Sequence, residues 1–366
     1  MRLLLLSDLN SIHTKKWVSG LSVRGYEMSV FGLSKPTDNY YDQFDNVEIS
    51  FADHTRFRER SRFSKLSYLK HIKQLKRLYK GFKPDIVHAH YATSYGLLGS
   101  FLRHKPFLIS VWGTEIFDSP KASILSKILL KRNLSKATHL FSTSEIMAKE
   151  TNLYTLKKVE VVPFGVDLTR FKSGSVNSEK PSNKIVIGII KTLEKNYGIN
   201  DLIDAFKIIV ERFPNQKFEL HIVGEGREED ALRKQANDLG LGKNVLFKGF
   251  INHDLVPTAF NEMDIVVVAS LAESFGVSAV EASACQKPVV ATSVGGLPEV
   301  VLDQKTGLLC EPNNPVDMAA KIAILIEDQE KRKSFGIAGR DFVFEKYDWE
   351  KNVDQMCDHY KNILRG

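Results

Sequence analysis

Cysteine is scarce in this chain, with three residues in 366: Cys285, Cys310 and Cys357. An odd number without metal-ligand spacing supports neither a disulfide framework nor a zinc site, and it points to a reducing compartment. Long hydrophobic runs are lacking too. The opening Met1-Arg2-Leu3-Leu4-Leu5-Leu6-Ser7-Asp8 is apolar for too few residues to read as a signal peptide. Nothing elsewhere approaches the roughly 20 apolar residues that span a bilayer. There is no short repeat and no low-complexity tract. What remains, at 43% hydrophobic and 26% charged residues, is the composition of an ordinary globular protein, long enough for two α/β domains.

Charge is unevenly placed. Residues 1–172 carry a net +13 and the remainder a net −6, so only the first half is expected to meet something negatively charged. Short apolar runs alternate with helical-period segments throughout. Strands are expected at 2–7, 27–31, 85–88, 107–111, 139–142 and 159–163, then at 184–190, 217–223, 245–248, 265–269 and 288–291. The segments between read as helices, among them 66–79, 199–212 and 315–326. Continuous apolar strands alternating with helices predict parallel sheets covered on both faces. A stretch rich in Ser, Asn and Gly at 171–183 reads as a linker. The expected division is therefore 1–170, the linker, a second domain at 184–346, and a terminal helix over 347–366 with Trp349, Val353, Met356 and Tyr360 on one stripe.

Ligands of open α/β sheets bind beyond the carboxyl ends of the strands. The densest signal there is Glu273-Ser274-Phe275-Gly276-Val277-Ser278-Ala279-Val280-Glu281, running from a strand into a helix. A helix start offers unpaired N–H groups suited to a phosphate or sugar oxygen, and Gly276 permits close approach. Two acids at this spacing also fit a helix cap and a solvated surface residue. Downstream come Pro288-Val289-Val290-Ala291-Thr292, then Gly295-Gly296-Leu297-Pro298-Glu299. Val223-Gly224-Glu225-Gly226, Val245-Leu246-Phe247-Lys248-Gly249-Phe250 and Thr306-Gly307-Leu308-Leu309 stand in order around them.

Together these motifs resemble the family 4 retaining glycosyltransferases, whose signature is E-x7-E followed by P-V-V-A-T and G-G-x-x-E. The resemblance covers the second half and implies the GT-B fold: two Rossmann-like doubly wound domains facing a central cleft. It implies that Glu281 holds the donor ribose. Glu273, with the backbone of Ser274, Phe275, Gly276 and Val277, lies against the donor sugar. The Gly249-Phe250 peptide flanks the base, with Ile251 beside it. In the stretch opened by Gly188, Lys191 and Lys195 match the basic pair that grips the donor diphosphate. A solvated lysine pair is the plainer alternative. No D-x-D occurs in the chain, so no metal and no cofactor is expected. The two cations would stabilise the charge building on the leaving diphosphate.

The first half departs from the family pattern. Asn10 and Ser11 stand where many members have a glycine pair facing the donor phosphates, and Trp112, before Glu115, stands where a histidine is expected. His13 reads equally as a site residue or a helix-start polar residue, and His88 and His90 as acceptor contacts or structural histidines. From Arg56 to Lys83 eleven basic residues accompany one acid, Glu59, with apolar residues partly at helical spacing. This surface suits an anionic membrane, or else is a solvated helix packed on its domain. Nucleic acid is not expected, since no recognition module is present. The expectation is a cytoplasmic enzyme, peripheral on the inner face of the cell membrane. It would move a hexose from a nucleotide diphosphate sugar, UDP-linked, to a hydroxyl of a lipid-linked glycan in bacterial surface polysaccharide synthesis. The rivals are a nucleotide-sugar 2-epimerase and a non-catalytic nucleotide-sugar-binding partner of another transferase.

Overall fold

The computed structural model describes residues 1–52, 66–113, 115–174 and 184–366. The chain divides into two units, one formed by Met1–Phe164 with Glu350–Gly366, the other by Gly165–Trp349.

The first unit is built on seven strands: β1 (Arg2–Leu6), β2 (Glu27–Gly32), β3 (Val47–Phe51), β4 (Ile86–His90), β5 (Phe107–Val111), β6 (His139–Ser142) and β7 (Val159–Val161). They form a parallel sheet in the order β3-β2-β1-β4-β5-β6-β7. The second unit holds β8 (Lys184–Ile190), β9 (Lys217–Val223), β10 (Val245–Gly249), β11 (Ile265–Val268), β12 (Val289–Thr292) and β13 (Gly307–Cys310). Its parallel order is β10-β9-β8-β11-β12-β13. Each sheet is doubly wound: the chain starts in the middle, builds to one edge, then returns to build the other. Strands covered on both faces must be apolar on both, and Leu3, Leu4, Leu5 and Leu6 of β1 and Ile265, Val266 and Val267 of β11 are fully buried.

Two edge strands, β3 and β13, are absent from the pattern expected of the sequence. Val47–Phe51 has no fully buried residue, so it carries no continuous apolar run. Gly307–Cys310 is four residues long and opens on a glycine, which reads as a turn. The segment expected as one helix over 66–79 is a 3-10 helix, Leu66–His71, followed by an α-helix, Ile72–Phe82. Leu75 and Phe82 are buried in the core, and Ile72, Leu78 and Tyr79 pack against it. The apolar side of this basic segment therefore faces its own sheet and is not free for a membrane. Residues 53–65, with the first arginines of that segment, lie outside the described residues, as does most of the expected linker. Among the described residues no helix is long and apolar enough to cross a membrane.

The terminal helix, Trp349–Arg365, belongs to the first unit from Glu350 onward. Arg24 holds it with hydrogen bonds to Asp354 (2.6 Å) and Glu350 (2.9 Å). Val353, Met356 and Tyr360 are buried. The Tyr360 hydroxyl is hydrogen-bonded to His88 Nδ1 at 2.7 Å, and His88 Nε2 to Ser110 Oγ at 2.8 Å. Both ring nitrogens of His88 are thus used inside the unit, and burial pushes its pKa down to about 3. His88 is a structural residue and not an acceptor contact. Tyr360→Phe should cost about 1–3 kcal/mol by leaving a buried ring nitrogen without its partner, read as a lower urea midpoint.

Candidate active site

The chemistry-bearing residues of the second unit gather where the winding reverses, beyond β8 and its neighbour β11. Parallel strands whose connections leave in opposite directions part their loops there and open a crevice. Lys191 follows β8; Ser270 and Glu273 follow β11. Lys191 Nζ lies 2.6 Å from Glu273 Oε2, both side chains being largely buried (16% and 13% exposed). Ser270 Oγ donates to the same carboxylate oxygen at 3.3 Å. The Lys191 ammonium also sits 4.5 Å from the centre of the Tyr197 ring. Charges this far from water persist because they are paired, and removing one partner strands the other.

The backbone of Glu273 is fixed as firmly as its carboxylate. Gly296 N–H donates to the Glu273 carbonyl at 3.0 Å. Gly295 has φ +51°, and a Cβ there would overlap that carbonyl oxygen. The glycine pair after β12 is thus a requirement of close packing on Glu273. The Gly224-x-Gly226 motif has a similar cause. Side chains at Gly224 and Gly226 would strike the carbonyls of Lys191 and Leu193, and Gly224 N–H donates to the Gly249 carbonyl at 2.8 Å. Three neighbouring loops are locked by their main chains.

From Glu273 the chain turns through Ser274, Phe275 and Gly276 into the helix Val277–Ala284. Phe275 is buried edge-on against Tyr347. Gly276 (φ +107°) precedes the helix without a side-chain cap, and Ser278 Oγ ties the first turn to the Ile190 carbonyl at 3.1 Å. Glu281, 8% exposed, is hydrogen-bonded through Oε1 to His253 Nε2 at 3.0 Å. His253 has no signal in the sequence; it opens the short 3-10 helix His253–Leu255 and gains its place only through the fold. Gly249 has φ +68°, and the following Phe250 is exposed. Two expected residues stand apart. Gly188 lies within β8, where a Cβ would collide with the Met263 side chain, so packing alone accounts for a glycine there. Lys195 is exposed on the short 3-10 helix Lys195–Tyr197 and makes no ion pair with Glu273.

In the first unit the corresponding reversal lies between β1 and β4. Ser7 Oγ is hydrogen-bonded to His90 Nδ1 at 2.9 Å and to Thr14 Oγ1 at 2.7 Å. Burial drives His90 well below the usual histidine range, with His88 and His13 adding repulsion. Its ring lies against Trp112, 3.6 Å between centroids, while His13 stacks on Phe164 at 4.0 Å. Trp112 and His90 are buried, so they brace the wall, whereas His13 and Tyr91 are partly exposed on it. Tyr91 adopts φ +70°, a left-handed backbone that bulky residues rarely hold. Asn10 Oδ1 accepts from the Thr37 main chain at 2.8 Å and its amide donates to the Lys35 carbonyl at 3.0 Å, so this side chain fastens the loop. Ser11 caps the helix Ile12–Ser22 by position, without a side-chain capping bond. Glu115 Oε1 accepts the Trp112 N–H at 3.1 Å, while Oε2 is enclosed with no hydrogen-bond partner among the described residues. Desolvation raises its pKa to about 7, against the opposing pull of backbone N–H groups. Among the described residues no group of three or more His, Cys, Asp or Glu is placed to hold a metal ion.

Comparison with known proteins agrees with this geometry. Residues 2–144 match the glycosyl transferase 4-like family, and residues 172–342 match glycosyl transferases group 1. An uncharacterised glycosyltransferase of Methanocaldococcus jannaschii is 30% identical over 285 residues, covering 76% of each chain. The N-acetyl-alpha-D-glucosaminyl L-malate synthase of Bacillus anthracis is 28% identical, over 77% of this chain and 75% of that one. HepE of Anabaena, solved with UDP-glucose, superposes with a TM-score of 0.80 at 20% identity, over 99% of this chain and 100% of that one. The chain belongs to the group 1, or family 4, glycosyltransferases and has their GT-B fold. By that membership it is an enzyme that transfers sugar from a nucleotide sugar with retention and without a metal ion.

Two outcomes follow from this packing. Gly295→Ala and Gly240→Ala both place alanine at positive φ, but only the former meets another chain segment. Gly240→Ala should cost about 1–2 kcal/mol, and Gly295→Ala clearly more, by urea denaturation; equal costs would contradict the close packing on Glu273. Glu115 prefers its protonated form in the fold, so its contribution is complete below about pH 4.5 and is lost as pH rises to about 7. Glu115→Gln should therefore gain on wild type in melting temperature between about pH 5 and about pH 8.

Proposed function

We propose that the enzyme transfers a hexose from a UDP-sugar to a hydroxyl of a lipid-linked glycan, in the assembly of a bacterial surface polysaccharide at the inner face of the cell membrane. The observation that carries the donor assignment is the Lys191–Glu273 pair at the switch point of the second unit, with Glu281 eight residues further on. In this reading Lys191 and Lys195 neutralise the diphosphate, as point charges without the paired geometry of arginine. Glu281, steadied by His253, takes the ribose hydroxyls. Glu273 and the main chain of Ser274, Phe275, Gly276 and Val277 hold the sugar, and the Gly249-Phe250 peptide flanks the base. The choice of uridine follows HepE, whose structures hold UDP and UDP-glucose.

Retention follows from attack on the face that the diphosphate leaves. The bond from the anomeric carbon to the diphosphate oxygen breaks, the acceptor oxygen bonds to the same face, and the acceptor proton passes to the departing phosphate. No side-chain base is required. The commitment of Glu273 to Lys191 and Ser270 supports a positioning role over nucleophilic attack. The wall on which His13 is partly exposed in the first unit, braced by Trp112 and His90 and with Asn10, Ser11 and Glu115 about it, is assigned to the acceptor. A soluble hydroxy-acid acceptor is the second reading, favoured by the Bacillus anthracis relative, named for L-malate.

Calorimetry without metal, using UDP, GDP and ADP, tests the donor site. UDP should bind selectively, and Lys191→Ala, Lys195→Ala and Glu281→Ala should each weaken it by about tenfold or more. Unchanged binding in all three variants would sink the assignment.

A further inference from the structure

The first unit carries an apolar surface that the fold leaves uncovered. The helix Ile124–Lys136 packs inward through Leu130, Asn133 and Leu134, all buried, with the Asn133 amide donating to the Ala92 carbonyl at 2.9 Å. Arg132 is drawn inward, 2.9 Å from Ser100 Oγ. The opposite side should then be polar, as on any surface helix. Its first turns instead expose Ile124 (81%), Ile128 (57%) and Leu125 (42%). At 100° per residue the two isoleucines lie on one stripe with Leu125 beside it. Large aliphatic groups clustered in this way mark a contact surface and not a chance exposure.

The charge around the stripe identifies the occupant. Lys121, Lys127, Lys131 and Lys136 are exposed about it, and no acidic residue occurs between Asp118 and Glu145. The helix Ile72–Phe82 buries Leu75 and Phe82 in the same core cluster as Leu130 and Leu134, so both helices cover the same face of the sheet. It turns Lys73, Lys76, Arg77 and Lys80 outward. Aliphatic side chains ringed by lysine match a bilayer with anionic headgroups: the isoleucines enter the acyl boundary and the ammonium groups meet the phosphates. A protein partner would bring its own pattern of acids to this ring, and nothing in the chain arranges the lysines for one.

We infer that the exposed face of Ile124–Lys136, led by Ile124, Leu125 and Ile128, is the surface by which the enzyme docks on an anionic lipid bilayer. This deepens the membrane part of the proposed function. The helix begins shortly after Trp112 and Glu115, at the carboxyl end of the sheet, so docking here keeps the proposed acceptor wall close to the lipid surface.

Co-sedimentation of the full chain with phosphatidylglycerol-containing and pure phosphatidylcholine vesicles tests it, with calorimetric UDP binding read separately. Binding should favour phosphatidylglycerol and fall as salt is raised. Ile124→Ser/Ile128→Ser should weaken it about tenfold or more, and Lys121→Glu/Lys127→Glu/Lys131→Glu should abolish it. Val316→Ser, on an exposed apolar residue of the second unit, should leave it unchanged. Equal binding to both vesicles, or wild-type binding by the two multiple variants, would overturn the inference. So would a dimer, seen by light scattering, that Ile124→Ser/Ile128→Ser dissociates while vesicles are ignored. Each of those results leaves UDP binding, and so the donor reading, standing.

Discussion

Lys191 and Glu273 can face each other only because β8 and β11 are neighbours, although 82 residues separate the two side chains. The ion pair is a constraint before it is a stabilising contact. Neither charge tolerates its half-dry position alone, so whatever holds one must hold the other. The loops obey this demand. The glycines after β12 press on the Glu273 carbonyl, those after β9 press on the Lys191 and Leu193 carbonyls, and Ser278 reaches back to the end of β8. Under the proposed donor assignment, a diphosphate sugar would meet charges already positioned, which would lower the reorganisation needed as the diphosphate departs.

The two units solve the same geometric problem with different chemistry. At the reversal between β1 and β4 the groups are neutral: a serine, a threonine and a histidine pushed far from protonation. Aromatic rings replace the ion pair, and Glu115 near them has its pKa raised by burial to about 7. A site of that kind offers flat apolar faces and a hydrogen-bond donor, suited to a sugar ring or polyol. The charged site suits a diphosphate.

Much of this was legible in the sequence because the central strands must be apolar on both faces, and because the motif from Glu273 to Glu299 is continuous, running from the β11–β12 crossover through β12 into the next short helix. What escaped has physical reasons. β3 is an exposed edge and β13 starts on a glycine, so neither shows a buried run. Gly188 sits in a glycine-bearing motif but is small to make room for Met263, a contact between distant segments. His253 reaches Glu281 across 28 residues. The basic stretch before Lys83 shows amphipathic spacing, yet the apolar side of its helix Ile72–Phe82 is spent on the core. The helix Ile124–Lys136 is apolar on both sides, which hides its outer face from any reading by period.

The bond between His88 and Tyr360 joins residues 272 positions apart. Between them the chain makes an entire second unit. On a ribosome, then, the first sheet emerges early but lacks one of its covering helices until after residue 349 has been made. The second unit is continuous and can close while the first still waits. The order of synthesis and the order of completion are thereby reversed: of the two units, the one whose strands are made first is finished second.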